Sequence, residues 1–179
     1  MKKSFVFSGS GGQGIMSAGI TLANTAIEMG LHATYLPEYG PEQRGGSAKC
    51  TVVVDDGAVV SPLPKQCDTL ICMNELAYAK FIGDLKPGGM LVANANRIAN
   101  PYERSDIKVI AVPVDDVALA LGDPRTANII LLGILAGATG VISRMFLAEA
   151  LKRKFGKKLA VLEMNIKALD KGIELAEDK

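Results

Sequence analysis

The sequence has no tryptophan and a single histidine, and only 5% of its 179 positions are aromatic, which is too few for a base-stacking platform on single-stranded nucleic acid. Charge of either sign is also scarce in excess. Twenty lysines and arginines stand against 19 acids, a net charge of +1, so no basic footprint points to nucleic acid. The one histidine, His32, lies where a strand should begin, which argues against histidine as a general base. Three cysteines, Cys50, Cys67 and Cys72, make an odd set in a chain this size. They read as reduced thiols and small core residues rather than a disulfide framework. Cys67 and Cys72 have no second pair to complete a zinc or iron–sulfur spacing.

Long hydrophobic runs are missing too. Lys2 and Lys3 precede only Phe5, Val6 and Phe7 before polar residues and glycine, too short a core for an export signal, so a cytoplasmic location is expected. The longest apolar stretch, Ala127 to Ile142, falls short of the ~18–20 residues that span a bilayer. Gly133 and Gly137, like Ala136 and Gly140, stand four apart, the spacing that lets helices approach closely. That stretch is expected to be a buried helix packed on a sheet or a partner.

What is present is a core. Hydrophobic residues make up 49% of the chain, enough to fold residues 1–179 as one domain. "KSFVFS" predicts a first strand, "GSGGQG" a turn, and Ile15, Gly19, Leu22, Ala23 and Ala26 the face of a helix that Gly30 ends. "HATYL" predicts a second strand. "SAKCTVVVDDGAVVSP" predicts a third, with a turn at Asp56–Gly57 and a possible second arm. "DTLICM" is apolar throughout its centre, as a strand covered on both faces would be. "NELAYAKFIGDL" predicts a helix capped by Asn74, "KPGG" a turn, and "MLVANA" and "IKVIAVPV" two further strands. The last third is helical. Strands alternating with helices predict an α/β fold: an open, mostly parallel Rossmann-like sheet flanked by helices, with a helical C-terminal portion.

Two segments carry candidate function. Gly9, Ser10, Gly11, Gly12, Gln13 and Gly14 contain a G-x-G-x-x-G between strand and helix. Such glycines permit a tight turn and bring backbone N–H groups and a helix N-terminus close to a phosphate. A turn kept only for strand–helix packing reads equally well from these residues. Gln13 and Gly14 replace the Lys-Ser/Thr of a P-loop, and Glu38, at the spacing of a ribose-binding acid, follows Pro37 and runs straight into a charged loop. That loop, Tyr39, Gly40, Pro41, Glu42, Gln43, Arg44, Gly45 and Gly46, sets charges among a proline and glycines. Pro41 restricts itself and its neighbour, and Arg44 can make a forked contact to carboxylate or phosphate. A surface Glu42–Arg44 pair is the plain alternative. The basic run Lys152 to Lys158 fits a solvated helix end better than a partner site. Asn94 and Asn96 flank the end of a strand, at the edge where open α/β sheets bind ligands, and fit turn roles as well.

"GSGGQGIMSAGITLA", "YGPEQRGGSAKCTVVV", "SPLP" and "DTLICMNELAYAKFIGDLKPGGMLVANA" together resemble the gamma subunit of 2-oxoacid:ferredoxin oxidoreductases. The resemblance is strongest from Ser8 to Ala95, and its loop is more similar to the 2-oxoglutarate and branched-chain members than to the pyruvate ones. It implies a complex that oxidatively decarboxylates a 2-oxoacid with coenzyme A, giving an acyl-CoA, CO2 and reduced ferredoxin. It implies thiamine diphosphate, Mg2+ and iron–sulfur clusters in partner alpha, beta and ferredoxin-like delta subunits, with none held firmly by this chain. Under this reading Tyr39 to Gly46 dock a partner or reach a coenzyme A phosphate, and no residue here is catalytic. Membranes and nucleic acid are not expected partners, and the isolated chain should self-associate. The competing reading is a self-sufficient Rossmann-like protein binding NAD or FAD through Gly9 to Gly14. Replacing Arg44→Lys keeps the charge and removes the fork. Weaker co-purification with partner subunits is the expected outcome, and full assembly and activity in that variant would refute the docking role.

Overall fold

In a computed structural model, which describes residues 1–40, 46–99 and 104–177, six strands form one sheet in the order β2-β3-β1-β4-β5-β6. The strands are β1 (Lys2–Ser10), β2 (His32–Tyr39), β3 (Ser47–Asp55), β4 (Cys67–Cys72), β5 (Leu85–Asn94) and β6 (Lys108–Val112). β1, β4, β5 and β6 pair in parallel, while β3 runs antiparallel to both β1 and β2. Five strands therefore share one direction, as the alternation of strands and helices predicts.

The strand sequences explain the layers. Successive residues face opposite sides, so Phe5, Phe7, Ile71, Val92 and Ile110 point to one face and Val6, Leu70, Cys72, Leu91 and Ala93 to the other. The first face is covered by α1 (Ile15–Glu28), α3 (Val114–Leu121), α4 (Ala127–Thr139), α5 (Arg144–Phe155) and α6 (Leu159–Glu177). The second is covered by the short α2 (Glu75–Phe81) through Ala77, Tyr78 and Phe81. Asn74 caps α2 as expected, its Oδ1 accepting from the Ala77 N–H at 2.9 Å.

Three local expectations change. The second strand continues through Pro37 and Glu38 to Tyr39. It tolerates the proline because β2 is an edge strand, where a missing N–H removes no ladder bond on the open side. No second arm follows Asp56–Gly57; residues 56–66 are irregular, and Leu63 to Gln66 lie beside Val6 and Thr51 on the second face. "KPGG" is not a turn before a strand but a bulge inside β5. Its register jumps between Cys67 and Thr69 of β4, and Gly88, at φ 73°, donates its N–H to the Asp106 carbonyl.

The apolar stretch is a buried helix, α4, and its partner is α6. Gly133 faces Gly172, and a Cβ on either would enter the other helix's backbone, at the Leu169 or the Ile130 carbonyl oxygen. A Cβ on Gly137 would sit 3.0 Å from that of Ala176. No side-chain rotation relieves a clash with a carbonyl, so the helices would have to separate. Gly133→Ala is therefore expected to cost ~3 kcal/mol or more despite alanine's better helix propensity, lowering Tm by roughly 6–12 °C, where exposed Gly83→Ala leaves Tm within a degree or two. Equal melting temperatures for the two variants would refute the backbone-contact account.

Candidate functional site

β1 ends in the glycine turn, and α1 begins directly after it. Gly12 and Gly14 hold left-handed backbones, φ 91° and 75°, and a Cβ on Gly14 would strike Asn128 Nδ2 at 2.8 Å. Only glycine meets both demands at position 14. The turn is tied from within and from β4. Gln13 Oε1 accepts from the Ser10 N–H at 2.7 Å and from Asn74 Nδ2 at 3.0 Å, and Asn74 Nδ2 also donates to Ser10 Oγ at 2.9 Å. Asn128, at the start of α4, donates Nδ2 to the Gly14 carbonyl at 3.3 Å. Gln13 thus occupies the Ser10 N–H. The N–H groups of Gly11, Gly12 and Gly14 have no hydrogen-bond acceptor among the described residues.

The turn opens on a cleft of about 210 Å³ lined by Gly12, Gln13, Gly14, Met73, Arg97, Asp115, Arg125 and Asn128. From β1 the chain crosses first to β2 and β3 on one side and then to β4 and β5 on the other. The cleft therefore lies at the carboxyl ends of strands where crossovers diverge, the usual place for a ligand in an open α/β sheet. Its two arginines are held in place. Arg97 pairs with Asp115, which also accepts from Asn94 Nδ2 at 3.0 Å. Arg125 makes a forked pair with Asp123, Nε to Oδ1 at 2.9 Å and Nη2 to Oδ2 at 2.7 Å, which holds the Asp123 carboxyl below its ordinary range. The Arg125 side chain is 83% exposed, so it can turn toward an anion in the cleft without desolvation. Free backbone N–H groups and two planar guanidiniums suit a phosphate or a carboxylate.

The fold brings the two sequence motifs together. Ser47, the first residue of β3, pairs with Ser10, the last of β1, so the charged loop springs from beside the glycine turn. Gly40 closes its base by donating to the Ser47 carbonyl at 3.2 Å, Gly46 bends the chain on the other side, and Tyr39 is 73% exposed. Pro41, Glu42, Gln43, Arg44 and Gly45 lie outside the described residues. Glu38 takes no ribose role. β3 separates β2 from β1, and the Glu38 carboxylate is spent on Lys49 at 3.4 Å, which argues against a dinucleotide site of the usual form.

Asn94 and Asn96 tie the end of β5 to α3, with Asn96 Oδ1 accepting from the Asp115 N–H at 3.0 Å and the Asp116 N–H at 3.2 Å. Arg97, Arg125 and Asn128 went unremarked in the sequence. Arg97 alone had a signal, its place just after a parallel strand. Cys50, Cys67 and Cys72 are buried, and burial pushes each thiol up to about 12, so none is a thiolate near neutrality. His32 is exposed at the opposite end of the sheet, paired in register with Asp55. No group of three or more His, Cys, Asp or Glu among the described residues could hold a metal ion.

Residues 4–175 match the family model described as pyruvate ferredoxin/flavodoxin oxidoreductase. The chain is 34% identical over 172 residues to ketoisovalerate oxidoreductase subunit VorA of Methanothermobacter thermautotrophicus, covering 95% of this chain and 35% of that protein. It thus spans about a third of the VorA relatives it matches. It is 32% identical over 181 residues to 2-oxoglutarate synthase subunit KorC of Methanocaldococcus jannaschii, covering 99% and 96%. The gamma subunit of a keto/oxoacid ferredoxin oxidoreductase from Geobacter sulfurreducens superposes with a TM-score of 0.89 at 32% identity, covering 99% and 98%. The 2-oxoglutarate:ferredoxin oxidoreductase of Magnetococcus marinus, solved with 2-oxoglutarate, coenzyme A and succinyl-CoA bound, superposes with a TM-score of 0.93 at 28% identity, over 99% of this chain and 31% of that one.

Asn74 separates the turn's tether from the helix cap. Asn74→Ala removes both and is expected to cost about 2 kcal/mol. Asn74→Asp keeps the cap acceptor and loses the Nδ2 donor to Ser10 and Gln13, so about half that loss should appear in thermal unfolding. An Asp variant as stable as the parent would refute the tether.

Proposed function

The chain belongs to the pyruvate ferredoxin/flavodoxin oxidoreductase family, and on that premise we propose that it is the gamma subunit of a 2-oxoacid:ferredoxin oxidoreductase acting on 2-oxoglutarate. The observation that carries this reading is the end-to-end match to a 2-oxoglutarate synthase subunit, 99% of one chain against 96% of the other. The overall reaction converts the 2-oxoacid and coenzyme A to acyl-CoA and CO2 and passes two electrons to ferredoxin. Thiamine diphosphate with Mg2+ in the alpha and beta subunits supplies the decarboxylation, and iron–sulfur clusters of a ferredoxin-like delta subunit carry the electrons. The chain's own residues support that division. Its thiols are buried and protonated, and its polar side chains at the sheet's carboxyl edge bond one another or wait for an anion rather than forming a nucleophile–base pair.

Two surfaces remain for this subunit to use. The cleft of Gly9 to Gly14 with Arg97 and Arg125 is the place for a phosphate of coenzyme A, through the N–H groups of Gly11, Gly12 and Gly14. The segment Tyr39 to Gly46 docks a partner subunit, with exposed Tyr39 as its apolar anchor and Arg44 as its fork. No helix among the described residues is long and apolar enough to cross a membrane, and we assign the complex to the cytoplasm.

Anaerobic purification of the tagged chain from its source cells tests the assignment. Thiamine-binding subunits and a ferredoxin-like chain are expected to co-purify. The complex should reduce ferredoxin at least ~10-fold faster with 2-oxoglutarate than with 2-oxoisovalerate or pyruvate, the discrimination that buried polar contacts to a second carboxylate readily supply. A preference for 2-oxoisovalerate would move the substrate to the branched-chain class of the VorA relatives. Recovery of the chain alone with a bound dinucleotide would overturn the subunit assignment.

A further inference from the structure

A second pocket, about 250 Å³, lies on the helical face of the sheet between the start of α1, the start of α4 and the junction of α5 with α6. Its floor is apolar, with Ile129, Phe155 and Val161, and its rim carries Arg125, Lys154 and Lys158. It shares Arg125 and Asn128 with the cleft at the glycine turn, so the two cavities adjoin along one cationic wall. The single acid lining it among the described residues, Asp123, is already engaged in the forked pair with Arg125. A pocket so built favours an anionic ligand with an apolar part.

Lys154 differs from the two cations that precede it in α5. Lys152 pairs with Glu149 and Arg153 with Glu28, the ordinary roles of surface cations. Lys154 has no carboxylate partner among the described residues. Its Nζ donates to Ser17 Oγ at 2.5 Å and stands 5.4 Å from the Phe155 ring centre. Lys154 is exposed, and partial desolvation by the groups beside it lowers its pKa below the ordinary lysine value, which raises the share of free amine. The bond to Ser17 holds the nitrogen at the pocket wall and leaves its lone pair for an electrophile once the proton is gone.

We propose that Lys154 is a site of covalent acylation by acyl-coenzyme A thioesters, drawn in by the cationic wall of Arg125, Lys154 and Lys158. The choice of electrophile rests on the function proposed above, which makes such a thioester at the same complex. In the reaction the free amine of Lys154 attacks the thioester carbonyl carbon. A C–N bond forms, the C–S bond breaks, and coenzyme A leaves as a thiolate that takes up the proton released by nitrogen. Nothing is oxidised or reduced. The product is an amide that has lost a cation, and with a dicarboxylic acyl group it gains an anion. The wall keeps Arg125 and Lys158, and its attraction for phosphate weakens.

The test uses the full chain, succinyl-CoA, and the succinyl thioester of N-acetylcysteamine, which has the same reactive carbonyl and no phosphates. Site occupancies are followed by peptide mass spectrometry. With succinyl-CoA, Lys154 is expected to react roughly tenfold faster than Lys108 and Lys157 of the same chain, which are likewise exposed but do not line the pocket, the low end of what a cationic cleft supplies. With the phosphate-free thioester that advantage should shrink severalfold, and Arg125→Gln should reduce it with succinyl-CoA while leaving Lys108 and Lys157 unchanged. A Lys154 rate no higher than theirs would overturn the proposal, and so would an equal advantage with both thioesters. Because the thioester is added, failure here leaves the subunit assignment standing. A purified complex that makes no acyl-CoA would sink that assignment without altering the labelling result.

Discussion

Strand β3 lies between β1 and β2, paired antiparallel with β1 from Lys2–Asp55 to Ser10–Ser47, and the character of the site follows from that placement. In a dinucleotide-binding sheet the second parallel strand sits beside the first, and its terminal acid reaches the ribose. Here the reversed strand moves β2 outward by a further strand spacing, ~4.8 Å. Glu38 is then spent on Lys49, and β2 becomes an edge that tolerates Pro37. The same pairing sets Ser47 against Ser10, so the charged loop and the glycine turn, separated in the chain by the whole of α1 and most of β2, emerge side by side.

The opposite wall of the cleft depends on how closely α4 and α6 pack. Gly133 and Gly172 let the two backbones touch, and Ala176 fits against Gly137. That contact anchors α4 where its first turn delivers Asn128 to the Gly14 carbonyl, with Arg125 just ahead of it. Glycine in a helix interior costs about 1 kcal/mol each relative to alanine, and close packing of two long apolar faces offsets the loss. The expected use of small residues was therefore correct in kind. Its partner, α6, was not visible, because Gly172 stands alone in a helix that otherwise reads as an ordinary amphipathic one.

The chain's polar chemistry divides into groups that are satisfied and groups that are open. Asn74, Gln13, Ser10, Asn94 and Asn96 bond each other and the backbone, which keeps the sheet's carboxyl edge rigid. Arg97 and Arg125 are paired at the cleft, and Gly12 and Gly14 line it with N–H groups that have no acceptor among the described residues. A rigid edge with a few open donors fits the function proposed above, in which this subunit would position an anionic ligand. The three buried thiols contribute packing and no reactivity.

Alternating strand and helix patterns, the helix cap at Asn74, the buried α4 and the glycine turn were legible in the amino-acid order, because each rests on contacts within a few residues. The resemblance to the gamma subunits was legible for the same reason, in two short motifs at a set separation. Strand order was not. Nothing local distinguishes a third strand added at an edge from one inserted between two others, since the choice rests on pairing between distant segments. For the same reason the strand-interior bulge at Lys86–Gly89, the Gly133–Gly172 contact and the convergence of Arg97, Arg125 and Asn128 on the glycine turn were decided only by the tertiary structure. Local order set the elements, and long-range packing chose which of their polar side chains share one cleft.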